Sequence, residues 1–201
     1  LPAMRALLVV NPRATTTSTR TTDVIVQALS HELDLEITFT THRGHGVDLG
    51  HWAIDNGLNA VITLGGDGVV NEVLNGILRD GPGREVPALG VIPGGSANVF
   101  SRALQVPNDP VEATGVILRA TRDGVFRRIG LGHVTTSEFT RWFAVNAGLG
   151  MDAQIIASME QQRTRGHRAT PLRYFVTTAR EYFGERDGPE MSVTRPGSAP
   201  T

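Results

Sequence analysis

Apolar and polar positions alternate with two different periods along the first 124 residues. Four short apolar runs between polar or glycine-rich breaks predict buried strands, at 5–11, 35–41, 60–64 and 88–93. Helical spacing of apolar residues follows each run, and a further helix opens at Asp109 and Pro110, which are typical of a cap and a first helical position. Strands that alternate with helices predict an α/β fold with a parallel sheet covered on both faces.

The pattern changes near residue 125. "VFRRIGLGHV" and "RWFAVNAGLG" predict two strands of a different sheet, and 151–183 predicts a broken helical stretch. We therefore expect an α/β nucleotide-binding domain over 1–124 and an incomplete β-rich second domain over 125–201, with its C-terminal part missing. Strand edges left open in that second sheet would favour self-association, so we expect a homo-oligomer.

Composition excludes several function classes. The 201 residues carry a net charge of −1, which gives no reason to expect nucleic-acid binding, and no apolar run is long enough to span a membrane. All 19 basic residues are arginines, so a Walker A loop and a protein-kinase strand lysine are impossible. The absence of cysteine removes disulfides and thiolate chemistry and fits a reducing, cytoplasmic compartment.

Two glycine-rich turns follow predicted strands: "GGDG" (65–68) and "GGS" (94–96). Ligands of parallel sheets bind at the carboxyl ends of the strands, where glycine lets backbone N–H groups approach a phosphate. An acid beside phosphates is unfavourable without a cation, so Asp67 predicts Mg²⁺, held directly or through water. The alternative is that Asp67 and Asn71 only shape the turn and cap a helix. The dinucleotide pattern G-x-G-x-x-G fails because Asn71 stands where the third glycine is required.

Four elements in order resemble the diacylglycerol kinase catalytic domain family, which includes sphingosine kinases and bacterial lipid kinases. They are "NPRA" (11–14), "GGDGVVNEVLNG" (65–76), "PGGSANVFSRAL" (93–104) and the pair "IGLGHV" and "NAGLGMDA" (129–134 and 146–153). The glycine signature alone is shared with NAD kinases and phosphofructokinases. The resemblance implies a nucleotide domain of the NAD-kinase/phosphofructokinase-like α/β fold, a β-rich lipid-binding domain, and ATP with Mg²⁺ as cofactors.

The resemblance also implies site residues. Asp67 would act catalytically through Mg²⁺ and phosphate electrostatics, and Asp152 would contact the lipid substrate. The nucleotide contacts would be Asn11, Thr40 (or Thr41), Gly65, Gly66, Asp67, Gly68, Val69, Val70, Asn71, Gly95 and Ser96. Two positions depart from the family pattern, because Val69 replaces its Thr and Val99 its Asp. The family's general base lies beyond residue 201, so we expect this fragment alone to be inactive.

The function that the resemblance implies is an ATP-dependent lipid kinase that phosphorylates the hydroxyl of diacylglycerol or a similar lipid. Such an enzyme would be cytoplasmic and peripheral to the membrane, with its lipid substrate at the membrane surface. Two alternatives stay open: an NAD-kinase-like activity on a soluble substrate, and a non-catalytic nucleotide-binding module. His42, His45 and His51 match no common zinc spacing, and a hydrolase elbow at Ser96 fails because residue 98 is Asn.

Overall fold

The computed structural model describes residues 3–14, 18–148, 153 and 155–158. Its strands are β1 (Arg5–Val10), β2 (Asp34–Phe39), β3 (Ala60–Gly65), β4 (Ala88–Pro93), β5 (Gly132–Thr135) and β6 (Thr140–Phe143). Its helices are α1 (Thr19–Glu32), α2 (His45–Asp55), α3 (Asp67–Ile77), α4 (Val99–Ala103) and α5 (Pro110–Asp123). The α/β class predicted from the periodicity is confirmed.

The first four strands form one parallel sheet in the order β2–β1–β3–β4. The two central strands, β1 and β3, are buried along almost their whole length, while β2 at the edge has only exposed and half-buried positions. That contrast explains the sequence pattern, since a strand covered on both faces is continuously apolar. The strand order reverses between β1 and β3, which is where α/β sheets usually place a ligand.

Helices cover both faces of this sheet. On one face α1 and α5 pack on the side chains of Leu8, Ile62 and Ile92, and on the other α2 and α3 pack on Leu7 and Val61. The helix ends follow local rules that can be read from the sequence. Asp109 caps α5 by accepting hydrogen bonds at Oδ1 from the N–H groups of Val111 and Glu112, both at 2.9 Å.

Glycines bring α2 and α3 unusually close together. A Cβ built on Gly50 would lie 2.7 Å from Cα of Gly76, and one built on Gly76 would overlap the carbonyl oxygen of Val47. Backbone contact at one point therefore sets the spacing of the two helices.

At the C-terminal ends of the same helices, Arg79 pairs with Asp55, and this hydrogen bond lowers the pKa of the Asp55 carboxyl.

The β5–β6 pair is an antiparallel hairpin, separate from the parallel sheet, as the sequence predicts. The chain divides into two compact units, Leu1–Asn146 and Ala147–Thr201, so the hairpin belongs to the same unit as the parallel sheet. The predicted helical stretch over 151–183 falls largely outside the described residues. In the described part, every helix is too short or too polar to cross a membrane.

Candidate functional site

Four loops meet at the carboxyl edge of the parallel sheet. The strand register aligns Val10 with both Phe39 and Leu64, and Gly65 with Pro93, so the chain leaves all four strands at one level. Backbone hydrogen bonds tie the first residues beyond the strands: the N–H of Asn11 donates to Leu64 and that of Thr40 to Val10, both at 2.9 Å. The segments singled out in the sequence therefore lie side by side on this edge.

The two glycine turns touch each other backbone to backbone. The N–H of Gly94 donates to the carbonyl of Gly65 at 2.8 Å, and a Cβ on Gly95 would lie 2.6 Å from Cα of Gly66. A Cβ on Gly65 would lie 2.5 Å from the side chain of Val69. These glycines are required by packing within the protein. The sequence argument, which assigned their role to phosphate approach, was incomplete here.

Gly68 is different from the other glycines of the turn. It is exposed, and a Cβ built on it would meet no atom within 4 Å. Its backbone angle φ lies outside the left-handed region, so conformation does not demand glycine either. The space in front of the Gly68 backbone is therefore open. Because neither packing nor conformation requires glycine here, close approach of a ligand is the remaining reason for it.

Asp67 holds the second glycine turn through the start of α4. Its Oδ2 accepts a hydrogen bond from the N–H of Val99 at 3.0 Å, and its Oδ1 accepts one from Phe100 at 2.9 Å. Asn98, which precedes α4 in a left-handed conformation (φ 47°), makes no side-chain cap of its own. Asp67 therefore supplies the missing cap from 32 residues away in sequence.

Glu72 does the same for α2. Its two carboxylate oxygens accept hydrogen bonds from the N–H groups of Gly44 at 2.9 Å and Gly46 at 3.1 Å. Asn75, one turn further along α3, pairs with both backbone groups of Trp142 in β6, at 2.9 and 3.0 Å. Three polar side chains of α3 thus fasten three separate segments, and nothing in the sequence argument assigned a role to Glu72 or Asn75.

Asn71 is the remaining polar side chain in this part of α3. Among the residues that the structure describes, it has no side-chain hydrogen-bond partner, and it is only half buried. Val69 and Val70 are buried at 6% and 2% exposure, with side chains in the core. Only their backbone can therefore serve a ligand at the edge, whereas Asn71 can also offer its amide.

The N-terminus of α3 differs from the other helix N-termini that the structure describes at this edge, because no side chain caps it. In the described part of the chain, the N–H groups of Asp67, Gly68 and Val69 donate no hydrogen bond, and no side chain caps the helix. The other helices that begin here are already capped, α1 by Ser18, α2 by Glu72 and α4 by Asp67. Uncapped N–H groups and the helix dipole favour a negatively charged group at α3.

Comparison with known proteins agrees with this geometry. A family model of the diacylglycerol kinase catalytic domain matches residues 5–133. The chain belongs to the diacylglycerol kinase catalytic domain family. The resemblance seen in the sequence motifs is confirmed.

Relatives of this diacylglycerol kinase family chain include a Chromohalobacter salexigens protein named probable lipid kinase YegS-like, 35% identical over 133 residues, or 66% of this chain and 39% of that protein. A Staphylococcus saprophyticus diacylglycerol kinase is 31% identical over 137 residues, or 67% of this chain and 43% of that enzyme. The chain thus spans about two fifths of the length of these relatives. A diacylglycerol kinase structure from Bacillus anthracis strain Sterne aligns with a TM-score of 0.53 at 34% identity, over 61% of this chain and 45% of that one.

Three other predicted nucleotide contacts have side chains at or near the carboxyl edge of the parallel sheet. Asn11 is half buried, and its Oδ1 accepts the N–H of Arg13 at 2.9 Å. Thr40 is half buried. The hydroxyl of Thr41 is within hydrogen-bond distance of ring nitrogens of His42 and His45, so we favour Thr40 as the candidate nucleotide contact. Ser96 is exposed on the second turn, and the predicted lipid contact Asp152 lies outside the described residues.

The described part of the chain holds no group of three His, Cys, Asp or Glu side chains suited to a metal ion. His42 and His45 stack on each other with ring centroids 4.9 Å apart. Asp67 already accepts one N–H at each oxygen, which leaves further lone pairs for a water. Contact with Mg²⁺ through water is compatible with these bonds and stays a prediction.

Proposed function

We propose that this chain carries the nucleotide-binding part of an ATP-dependent lipid kinase, which transfers the γ-phosphoryl group to a hydroxyl of diacylglycerol or a similar lipid. The observation that carries the proposal is the uncapped N-terminus of α3, with open space at Gly68, at the point where the strand order reverses. Family membership gives the reaction class, and the names of the relatives suggest the lipid.

In this proposal, the backbone N–H groups of Asp67, Gly68 and Val69 bind the phosphates of ATP. Asn71, whose amide has no described partner, contacts the same nucleotide, and Asn11 and Thr40 flank it. Mg²⁺ bound to the phosphates would offset their negative charge near Asp67. The contribution of these residues to catalysis would be positioning and electrostatic stabilisation of the transferred group.

The proposed domain plan follows the sequence argument. Residues 1–124 would bind the nucleotide, and 125–201 would begin a lipid-binding domain to which Asp152 belongs. The lipid would be reached at the membrane surface by a peripheral enzyme.

A glycine substitution tests the phosphate site. Gly68→Val adds a side chain where the structure leaves open space, so the fold should be kept while phosphates are displaced. We expect the dissociation constant for ATP·Mg²⁺, measured by calorimetry, to rise about tenfold or more, because overpacking costs typically about 1–3 kcal/mol. Gly115→Ala, in α5, is the matched control and should bind ATP normally.

Unchanged affinity in Gly68→Val would show that phosphates do not lie on this turn. The substrate is tested separately, with radiolabelled ATP and the full-length protein, against diacylglycerol in mixed micelles and against NAD. Transfer to diacylglycerol supports the proposal. Transfer to NAD alone would favour the soluble-substrate alternative, and nucleotide binding without transfer to either would favour a regulatory module.

A further inference from the structure

Helix α2 begins without a side-chain cap of its own. Its N-cap residue is Gly44, in a left-handed conformation with φ 89°. Glycine has no side-chain oxygen to cap the helix, unlike Ser, Thr, Asp or Asn. Glu72 replaces that cap from α3, through one carboxylate oxygen to the N–H of Gly44 and the other to Gly46. Hydrogen bonds to a charged acceptor are stronger than neutral ones.

Close packing holds the Glu72 carboxylate in this position. A Cβ built on Gly46 would lie 2.7 Å from Cβ of Glu72, so only glycine at residue 46 leaves room for the glutamate side chain. Glu72 is half buried between the two helices. Loss of the carboxylate would leave two partly buried N–H groups without a partner, which is costly.

The loop that Glu72 fastens lies at the candidate nucleotide site. This loop runs from Thr40, directly after β2, to Gly44. Its first residue is tied to the sheet by the N–H of Thr40, which donates to Val10 at 2.9 Å, and its last residue is tied to α3 by Glu72. A segment held at both ends is already ordered before a ligand binds, which lowers the entropic cost of binding.

Glu72 also changes the charge pattern of the edge. The N-terminus of α2 carries the positive end of a helix dipole, as that of α3 does. With Glu72 in place, the first of these is offset by a carboxylate, and the N-terminus of α3 stays open to an anion.

We propose that Glu72 is a positioning residue of the nucleotide site, which orders the loop Thr40–Gly44 and directs the phosphates to α3 by capping α2. The inference rests on the function proposed above. Glu72 itself does not touch the nucleotide, so its effect is indirect and acts through the position of Thr40 and the occupied end of α2.

The test compares Glu72→Gln and Glu72→Ala with a matched control. Gln keeps one acceptor oxygen, whereas Ala keeps none. Asp109→Ala removes a cap of the same kind, two N–H groups bound to one carboxylate, from α5, which packs on the opposite face of the sheet from α2. All three variants should lower the midpoint of thermal unfolding.

Only the Glu72 variants should weaken binding of ATP·Mg²⁺ by calorimetry. We expect the dissociation constant to rise about threefold to tenfold, more for Ala than for Gln, as loosening one loop would produce. Hydrogen exchange at the amides of Gly44 and Gly46 should accelerate in the Glu72 variants and stay unchanged in Asp109→Ala.

The outcomes separate this inference from the proposed function. If the unsubstituted chain does not bind ATP·Mg²⁺, the proposed function fails. If it binds, and Glu72→Gln binds equally well although exchange at Gly44 and Gly46 has accelerated, the positioning role is refuted. The same holds if Asp109→Ala weakens binding as much as the Glu72 variants do, since the effect would then be a general loss of stability. Should Glu72→Ala fail to fold, Glu72→Gln decides alone.

Discussion

Replacement of Asp67 by Asn separates two roles that a carboxylate at this position can have. In the structure, Asp67 caps α4 by accepting hydrogen bonds from the N–H groups of Val99 and Phe100, at 3.0 and 2.9 Å. Asn has nearly the same shape, yet only one of its two terminal groups accepts hydrogen bonds. One N–H of α4 would therefore face an amide donor in place of an acceptor.

The size of the effect follows from these two bonds. A hydrogen bond to a charged group contributes about 1.5–3 kcal/mol, and we expect Asp67→Asn to lower the free energy of unfolding by about this amount. For a chain of this length, that corresponds to a drop of roughly 3–12 °C in the unfolding midpoint. Asp67→Ala removes both acceptors and should destabilise the protein further.

The assay is calorimetric binding of ATP in the presence of Mg²⁺ and again in EDTA, together with urea unfolding of the same samples. If Asp67 acts only by holding the second glycine turn, the Asn variant should lose affinity by the same factor in both buffers. If Asp67 also directs Mg²⁺, the loss should be confined to the sample with Mg²⁺. An Asn variant as stable as the parent would refute the capping role, since the N–H group that faces the amide donor would then have lost no stabilising contact.

Two further substitutions test how α3 is packed against its neighbours. Gly76→Ala places a Cβ against the carbonyl of Val47, so the α2–α3 contact must open, and we expect a loss of about 1–3 kcal/mol in urea unfolding, whereas Gly115→Ala should be neutral or stabilising. Asn75→Leu removes both hydrogen bonds to the backbone of Trp142, so the hairpin should loosen and tryptophan emission should shift to the red. Unchanged stability of Gly76→Ala, or unchanged emission of Asn75→Leu, would contradict the packing described.

Local chemistry in the sequence was sufficient for most of the fold. The strand β4 was predicted with its observed bounds, and Asp109 was predicted as the cap of α5. The N–H groups that Asp109 binds are only two and three residues further along the chain. Gly57, just after the end of α2, has the left-handed conformation that is typical of glycine beyond a helix end. These features depend on residues within one turn or one strand of each other, and patterns of that range can be read from a single sequence.

The long-range contacts of α3 could not be read in this way. Glu72 reaches Gly44 and Asp67 reaches Val99, 28 and 32 residues away, and no periodicity links residues that far apart. One indication was present, since neither α2 nor α4 begins at a residue whose side chain caps it. A predicted helix without its own cap in a buried position needs an acceptor from elsewhere, and an acid on the neighbouring helix is the first candidate.

The presence of an acid beside the proposed phosphate site has a physical reason that does not need a metal. The sequence argument held that Asp67 would repel phosphates unless a cation stood there. The structure provides partial positive charge from another source, because the N-terminal N–H groups of α4 bind both oxygens of Asp67. Its negative charge is thus partly offset, while the first N–H groups of α3 stay open. Since the carboxylate is offset before any cation arrives, we expect a chain without Mg²⁺ to retain measurable affinity for inorganic phosphate at α3, and Gly68→Val to abolish it. Phosphate binding that needs Mg²⁺ even in the unsubstituted chain would show that the caps do not offset Asp67 sufficiently and that the cation is required.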